Sequence, residues 1–325
     1  MSHASQQIVN TACFLVSLLI GTSTASAQNF PSRPIRMVTA EAGGGSDIVS
    51  RVIAQALSGT LGQQVVVDNR GAAGGAIAAE IVARSQPDGY TLLHYGSNIW
   101  LLPFLRKNLP YDPVRDFAPV TLTTRAPNMI VVHPSLAVKT VVELIAMAKA
   151  KPGSLGYASG GTGSTPHLAA ELFKAMAGVD IVRIPYKGGG PALNDLLGGQ
   201  VPLMFPVAAA ALPHVKSGRL RALAVTSAQP TELTPGLPTV AASGLPGYES
   251  VSIQGLFAPA GTPAVLINRL NREFVRVVQS ASVKDRFFSM GIESVGATPE
   301  AFGATMKSEM ARLGKVIRDA GIRDE

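Results

Sequence analysis

Val38-Thr39-Ala40-Glu41-Ala42-Gly43-Gly44-Gly45-Ser46-Asp47-Ile48-Val49-Ser50-Arg51 is the stretch on which the reading of this 325-residue chain turns. Ile35, Met37 and Val38 supply an apolar strand, and Ile48, Val49, Val52, Ile53, Ala56 and Leu57 recur at helical spacing. Between them runs a glycine-rich loop in which Ser46 or Asp47 caps the helix. Glycine lets the backbone come close to a ligand, and the unpaired N–H groups of a helix's first turn, together with its dipole, favour an anion. The stretch therefore predicts either an anion-binding loop or an ordinary tight turn of an α/β protein. Glu41 opposes the first reading by placing a negative charge in the loop.

The pattern repeats along the chain. Residues 65–67 form a short strand, followed by Asp68-Asn69-Arg70-Gly71-Ala72-Ala73-Gly74-Gly75 and an alanine-rich helix at 77–83. Pro87-Asp88-Gly89-Tyr90 is a turn into the strand 91–95. After it, Gly96-Ser97-Asn98 offers polar groups at a strand's carboxyl end, where open α/β sheets place ligands. Residues 120–132 read as a long strand crossing into a second unit, and 141–150 as a helix stopped by Pro152-Gly153. The strand 155–158 then leads into Ser159-Gly160-Gly161-Thr162-Gly163-Ser164 and a helix opening on Thr165-Pro166, where proline's missing N–H is no loss. Two such loops, one per domain, are placed to face each other.

Further on come the strand 181–185, the loop from Tyr186 and Lys187 through Gly190, a helix through Asp195 and Leu197, and strands at 201–205 and 220–226. A Pro- and Gly-rich connector at 230–247 precedes a second crossing strand at 251–258. Long helices at 263–280 and 299–320 finish the chain and are predicted to pack on the first unit. The alternation gives an α/β fold with mostly parallel sheets.

Length allows two domains, and 46% apolar with 15% charged residues is a globular composition. The net charge of +7 is scattered without a basic block, and aromatics are only 6%, which argues against a nucleic-acid partner while leaving a mild field attractive to small anions. At the start, the apolar residues between Cys13 and Ile20 and the small-x-small Ala25-Ser26-Ala27 resemble an export signal cut after Ala27, although no Lys or Arg precedes the apolar core. A retained anchor is the alternative. The core is too short to span a bilayer, and no other run approaches the roughly 18 apolar residues required, so a soluble mature chain is expected. Cys13, the one cysteine, would leave with that segment, and with it any disulfide, thiol nucleophile or cysteine metal site.

Enzyme motifs are absent: no Gly-x-Ser-x-Gly, Gly-x-x-x-x-Gly-Lys, Gly-x-Gly-x-x-Gly or His-Glu-x-x-His occurs. His94, His133, His167 and His214 show no metal-ligand spacing, and no cofactor or metal is expected. Asp47 and Asp195 read as helix-start or packing groups, and Trp100 as core or cleft rim. The enzyme alternative, a periplasmic hydrolase, uses Ser164 as nucleophile with His167, but no orienting acid can be nominated. His167 reads better as a local cap.

Several motifs together carry a resemblance. They are Gly43-Gly44-x-x-Asp47, Asn69-Arg70-x-x-Ala73-Gly74-Gly75, Pro87-Asp88-Gly89-Tyr90-Thr91-Leu92, Leu109-Pro110-Tyr111-Asp112-Pro113, Tyr157-Ala158-Ser159-x-Gly161-x-Gly163-Ser164-x-x-His167-Leu168, Pro185-Tyr186-Lys187-Gly188, residues 220–226 and Ala258-Pro259-Ala260-Gly261-Thr262-Pro263. Their order and spacing resemble the substrate-binding proteins of tripartite tricarboxylate transporters, the Bug family, over essentially the whole mature chain. The resemblance implies a periplasmic Venus-flytrap protein with two α/β domains joined by two crossing strands. Residues 1–27 would be the signal, 28–124 with 252–325 the first domain and 125–251 the second. A small carboxylate would be held by backbone groups and ordered waters on two loops, one per domain. Onto this chain those loops map as Ala40, Glu41, Ala42, Gly43, Gly44, Gly45, Ser46 and Asp47, and as Ser159, Gly161, Thr162, Gly163 and Ser164. Ser97, Asn98 and Tyr186 complete the candidate set. The implied ligand is a carboxylate, an amino acid, or an aromatic acid or amide. The implied partners are membrane transporter subunits or a sensor kinase, and the chain is expected to be a monomer.

Departures from the family bear on the ligand. Thr39-Ala40 stands where the family usually has Pro-Phe, and Ile253 with Gln254 where an aromatic is common, so the pocket loses apolar walls. If Glu41 lay about 5 Å from a bound carboxylate, repulsion at an effective dielectric near 20 would be about 3 kcal/mol. That offsets one or two charge-assisted hydrogen bonds of about 1.5–3 kcal/mol each. Either Glu41 turns to solvent, or the ligand carries a donor that meets it.

Overall fold

The computed structural model describes residues 30–323 apart from Glu41, Gly43, Gly44 and Lys187. The export segment with Cys13, and three members of the candidate set, therefore lie outside the described residues. The quoted stretch forms strand β1 (Ile35–Thr39) and helix α1 (Gly45–Leu61). Val49, Val52, Ile53 and Leu57 turn one face of α1 into the core, whereas Ile48 faces outward. Ser46 and Asp47 lie inside the first turn of α1 rather than before it.

The first unit continues through β2 (Val65–Asn69), a short 3-10 turn (Ala72–Gly75), α2 (Ala76–Ala83), β3 (Thr91–Gly96), α3 (Asn98–Leu105) and β4 (Phe117–Pro127). The second holds β5 (Met129–Val132), α4 (Val141–Ala150), β6 (Gly156–Ser159), α5 (Thr165–Ala177), β7 (Val182–Pro185) and α6 (Gly189–Leu197). It ends with β8 (Leu203–Met204), α7 (Ala208–Lys216) and β9 (Arg221–Val225). The chain returns on β10 (Val251–Pro259) and finishes with α8 (Ala264–Val278), α9 (Ala281–Ser289), β11 (Glu293–Ser294) and α10 (Pro299–Asp319).

Two sheets result, of strand order β11-β4-β10-β3-β1-β2 and β7-β6-β8-β5-β9. The β-α repeats pair in parallel: β1 with β2 and β3, and β6 with β7 and β8. Every antiparallel ladder involves β4, β5 or β10, the strands that carry the chain between units. Parallel order thus belongs to the repeats, and the crossing strands make each sheet mixed. The long strand expected at 120–132 is broken at Asn128, whose backbone turns to Thr226: Thr226 Oγ1 accepts from Asn128 N at 2.8 Å, and Thr226 N donates to Asn128 O at 3.0 Å. Ser250 N in turn donates to Thr226 O at 2.8 Å, so the outgoing and returning crossings are knitted at one buried point.

Three elements differ from the sequence pattern. The region 201–205 shrinks to a two-residue strand. Helix α7 was hidden by Pro213, which sits inside the helix, and α9 by a sparse apolar pattern, since only Val283 and Phe287 turn into the core. Helix α10 does not pack on the first unit alone: it also lies against α5 of the second. Trp100 proves to be core, packed edge-on against Phe257 at 5.9 Å and Phe302 at 6.0 Å. One continuous apolar cluster joins these rings to Tyr157, Phe173 and Phe205 of the second unit. Gly255 is required where β10 passes α10, since a Cβ there would lie 2.0 Å from the Phe302 ring.

Candidate functional site

Each half of the chain ends its parallel strands toward the other half, and the loops at those strand ends enclose a cavity of about 670 Å³, a size ordinary for a small-molecule site. Four helices begin on it. The first-turn residues Gly45 and Ser46 of α1, Asn98 of α3, Thr165 and Pro166 of α5, and Gly189 of α6 all line its wall. The residues preceding α3, α5 and α6 are Ser97, Ser164 and Gly188, and none makes a side-chain cap. Of the helices that open elsewhere, two are capped, Thr140 accepting from Glu143 N at 3.1 Å and Thr298 from Ala301 N at 3.2 Å, whereas α7, α8 and α9 are not, so it is the shared location of the four starts rather than a missing cap that sets them apart. First-turn N–H groups and dipoles of four helices thus point at one space. Among the described residues no acidic or basic side chain lines it.

A groove of about 910 Å³ elsewhere, between α7, the connector and α9, is walled largely by apolar side chains including Leu212, Leu233 and Phe288. It gathers no comparable set of helix N-termini, so size alone does not make it the better candidate.

Of the residues singled out from sequence, Ala40, Gly45, Ser46, Ser97, Asn98, Gly161, Thr162, Gly163 and Ser164 line the interdomain cavity. Ala42 is exposed and outside its wall. Asp47, Ser159 and Tyr186 are engaged behind it. Asp47 Oδ1 accepts from Asn69 Nδ2 at 2.8 Å and its Oδ2 from Arg51 Nε at 3.1 Å, which ties α1 to β2. Ser159 Oγ accepts from Arg183 Nε at 2.7 Å. Tyr186 donates its hydroxyl to Asp195 Oδ2 at 2.7 Å. Asp47 and Asp195 are thus packing groups.

Sequence reasoning missed several wall residues. Leu102 and Leu105 on α3 and Tyr95 on β3 give an apolar side, and Ser252 and Gln254 on β10 close the floor. Gln254 had been noted only as Ile253's neighbour; strand alternation buries Ile253 in the core and turns Gln254 to the cavity. Leu105 meets the opposite loop so closely that a Cβ on Gly163 would lie 2.2 Å from its Cδ1. Gly163 also has φ +74, a conformation costly for other residues.

Both loops are braced from behind. In the second unit the Arg183 guanidinium donates to Ser159 Oγ, to Thr162 Oγ1 at 3.2 Å and to Gly160 O at 2.8 Å, spending its fork on the loop itself. His167 Nδ1 accepts from Gly163 N at 3.1 Å. Burial, with Arg183 and Lys174 nearby, pushes the His167 pKa down to about 3, so the ring is a neutral acceptor. Ser164 Oγ has no partner, and so no Ser–His pair is formed. In the first unit, His94 Nδ1 lies 2.7 Å from Ser50 Oγ and its Nε2 2.9 Å from Thr123 Oγ1. Ser50 also bonds Thr39 Oγ1 at 3.0 Å, and Thr123 donates to Gln254 O at 3.0 Å. This buried chain links β1, α1, β3, β4 and β10 under the cavity. Burial pushes the His94 pKa down to about 4, against an opposing hydrogen bond to the Ser46 backbone. Among the described residues no cluster of His, Cys, Asp and Glu could hold a metal ion, and no helix is long and apolar enough to cross a membrane.

Comparison with known proteins gives a consistent set. The family model described as tripartite tricarboxylate transporter family receptor matches residues 49–322. Among solved structures, R. palustris Rpa4515 with adipate is 38% identical, with a TM-score of 0.80, over 90% of this chain and 99% of that one. The periplasmic binding protein BugD is 34% identical, with a TM-score of 0.77, over 91% and 100%. MatC (Rpa3494) from Rhodopseudomonas palustris with bound malate is 30% identical, with a TM-score of 0.76, over 89% and 100%.

Proposed function

The chain belongs to the tripartite tricarboxylate transporter receptor family, whose members are periplasmic solute-binding proteins and not enzymes, and from that premise we propose that it captures a small carboxylate-bearing solute between its two units. The observation that carries this is the convergence of four helix N-termini on a cavity whose described wall has no charged side chain. Such a site binds an anion through backbone N–H groups and dipoles rather than by ion pairing. Relatives solved with adipate and with malate support the ligand class. Wall residues come from both units, so ligand bound there favours approach of the two about the crossing strands, with Asn128, Thr226 and Ser250 at the pivot.

In this reading residues 28–124 with 252–325 move as one body and 125–251 as the other. The closed form then presents a joint surface to transporter subunits or to a sensor. In the same reading residues 1–27 direct export and are removed by cleavage after Ala27. The test is a thermal-shift screen of carboxylates, amino acids and aromatic acids, alongside native mass spectrometry. A true ligand at a hundred times its Kd stabilises the fold by about 2.7 kcal/mol and is recovered unmodified. Consumption of the ligand, or stabilisation only by compounds without a carboxylate, refutes the assignment.

A further inference from the structure

Behind the second loop, off the described cavity wall, His167, Glu171 and Tyr157 form a buried polar group. His167 stands in the first turn of α5, and its Nδ1 accepts from Gly163 N at 3.1 Å. A backbone N–H can only donate, so Nδ1 is unprotonated and the proton of the neutral ring sits on Nε2. That end of the ring faces Glu171, one turn further along α5, with Nε2 4.0 Å from Oε1. The distance is too long for a hydrogen bond, yet a carboxylate there favours the tautomer that carries its proton on Nε2. Glu171 is itself fixed: Oε1 accepts from the Tyr157 hydroxyl of β6 at 2.5 Å, and Lys174 Nζ lies 3.2 Å from Oε2.

The bond from Gly163 matters because of where it grips the loop. Gly163 is the left-handed residue of the turn, at φ +74, and lies against Leu105 of the first unit. Arg183 holds Ser159 and Thr162 by their hydroxyls and Gly160 by its carbonyl, and Ser164 N is spent on Gly161 O at 3.1 Å. Turning the Gly163 N–H back to His167 fixes the peptide plane between Thr162 and Gly163, and with it the directions in which Gly161 and Thr162 meet the cavity.

Resting on the carboxylate reading above, we propose that His167 is a positioning residue for ligand capture: without touching the ligand, its Nδ1 holds the second loop in the shape that receives a carboxylate.

Three variants of the purified mature protein separate the acceptor from the volume of the ring. His167→Asn places Oδ1 where Nδ1 stood but leaves space behind it, His167→Phe keeps a ring without the acceptor, and His167→Ala has neither. The readouts are isothermal titration with succinate, malate and adipate, amide hydrogen exchange at Gly163 by NMR without ligand, and far-UV circular dichroism as the check on folding. An acid that binds the wild-type protein keeps its affinity for His167→Asn within about threefold and binds His167→Phe and His167→Ala about tenfold more weakly, the worth of one hydrogen bond. The Gly163 amide is protected in the wild-type protein and in His167→Asn and exchanges faster in the other two. If His167→Phe does not fold, the comparison of His167→Asn with His167→Ala, close in size, carries the test.

A side chain that merely fills space gives the opposite order, with His167→Phe nearest the wild type and His167→Asn beside His167→Ala. That order, unchanged affinity in all three variants, or a wild-type Gly163 amide without protection overturns the role of His167 while the carboxylate site stands. Failure of all three acids, when non-carboxylate compounds bind, overturns the carboxylate reading and this inference with it.

Discussion

Lowering the pH should unfold this protein in part through one ring, that of His94. Its imidazole is completely buried, and its pKa falls from 6.5 to about 4 because desolvation penalises the charged form. The unfolded chain therefore takes up a proton that the folded chain refuses between pH 6.5 and 4. Stability from this group is fully present above pH 6.5, is lost as pH falls through that window and levels off below the folded pKa. The full span corresponds to about 3 kcal/mol, and the step from pH 7 to pH 5 alone to about 2 kcal/mol. His94→Gln loses hydrogen bonds to Ser50 and Thr123 and is less stable at pH 7, but it has no imidazole to titrate. Urea unfolding at pH 7, 6, 5 and 4.5 should give a wild-type curve that falls more steeply than that of the variant, the difference between them closing by about 2 kcal/mol at pH 5. Carboxylates titrate in both proteins and cancel in the comparison. Parallel curves would refute the argument, since they would mean that His94 is protonated in the folded state or exposed to water. His167, held down to about 3, should show the same sign.

Two other perturbations probe the opposing loops. Arg183→Met removes three donors that shape the Ser159 loop, and should weaken carboxylate affinity by about tenfold or more while far-UV circular dichroism is unchanged; undiminished affinity would show that the loop keeps its shape unaided. Gly163→Ala adds a Cβ against Leu105 at a positive φ, and should lower both affinity and Tm, with Leu105→Ala in the same chain recovering affinity but not the φ strain.

Much of the candidate site was legible before folding because it is built from backbone. A glycine-rich loop between a strand and a helix is a local event, so residues 40–47 and 159–164 could be read as paired strand-loop-helix units from spacing and turn chemistry, and the family resemblance then marked them as ligand loops. Roles that depend on side-chain direction were not legible in the same way. Asp47 sits in the right loop yet turns back to Asn69 and Arg51, and Ser159 is taken by Arg183, a residue 24 positions away in sequence. The apolar wall of Leu102 and Leu105 gave no sign of itself, because a helix that is apolar all round does not reveal which face meets a ligand.

By itself, then, the sequence determined an α/β chain of alternating strands and helices, the two crossings between units, and a family whose members bind solutes. These follow from periodicity, turn residues and motif order, which act over a few residues at a time. Only the tertiary structure decided that four helix starts share one cavity and that Gln254 rather than Ile253 lines it. It alone joined Thr39, Ser50, His94 and Thr123 into one buried chain beneath the floor. Those facts depend on strand register and on the meeting of segments that lie from tens to more than a hundred residues apart, which local spacing does not encode.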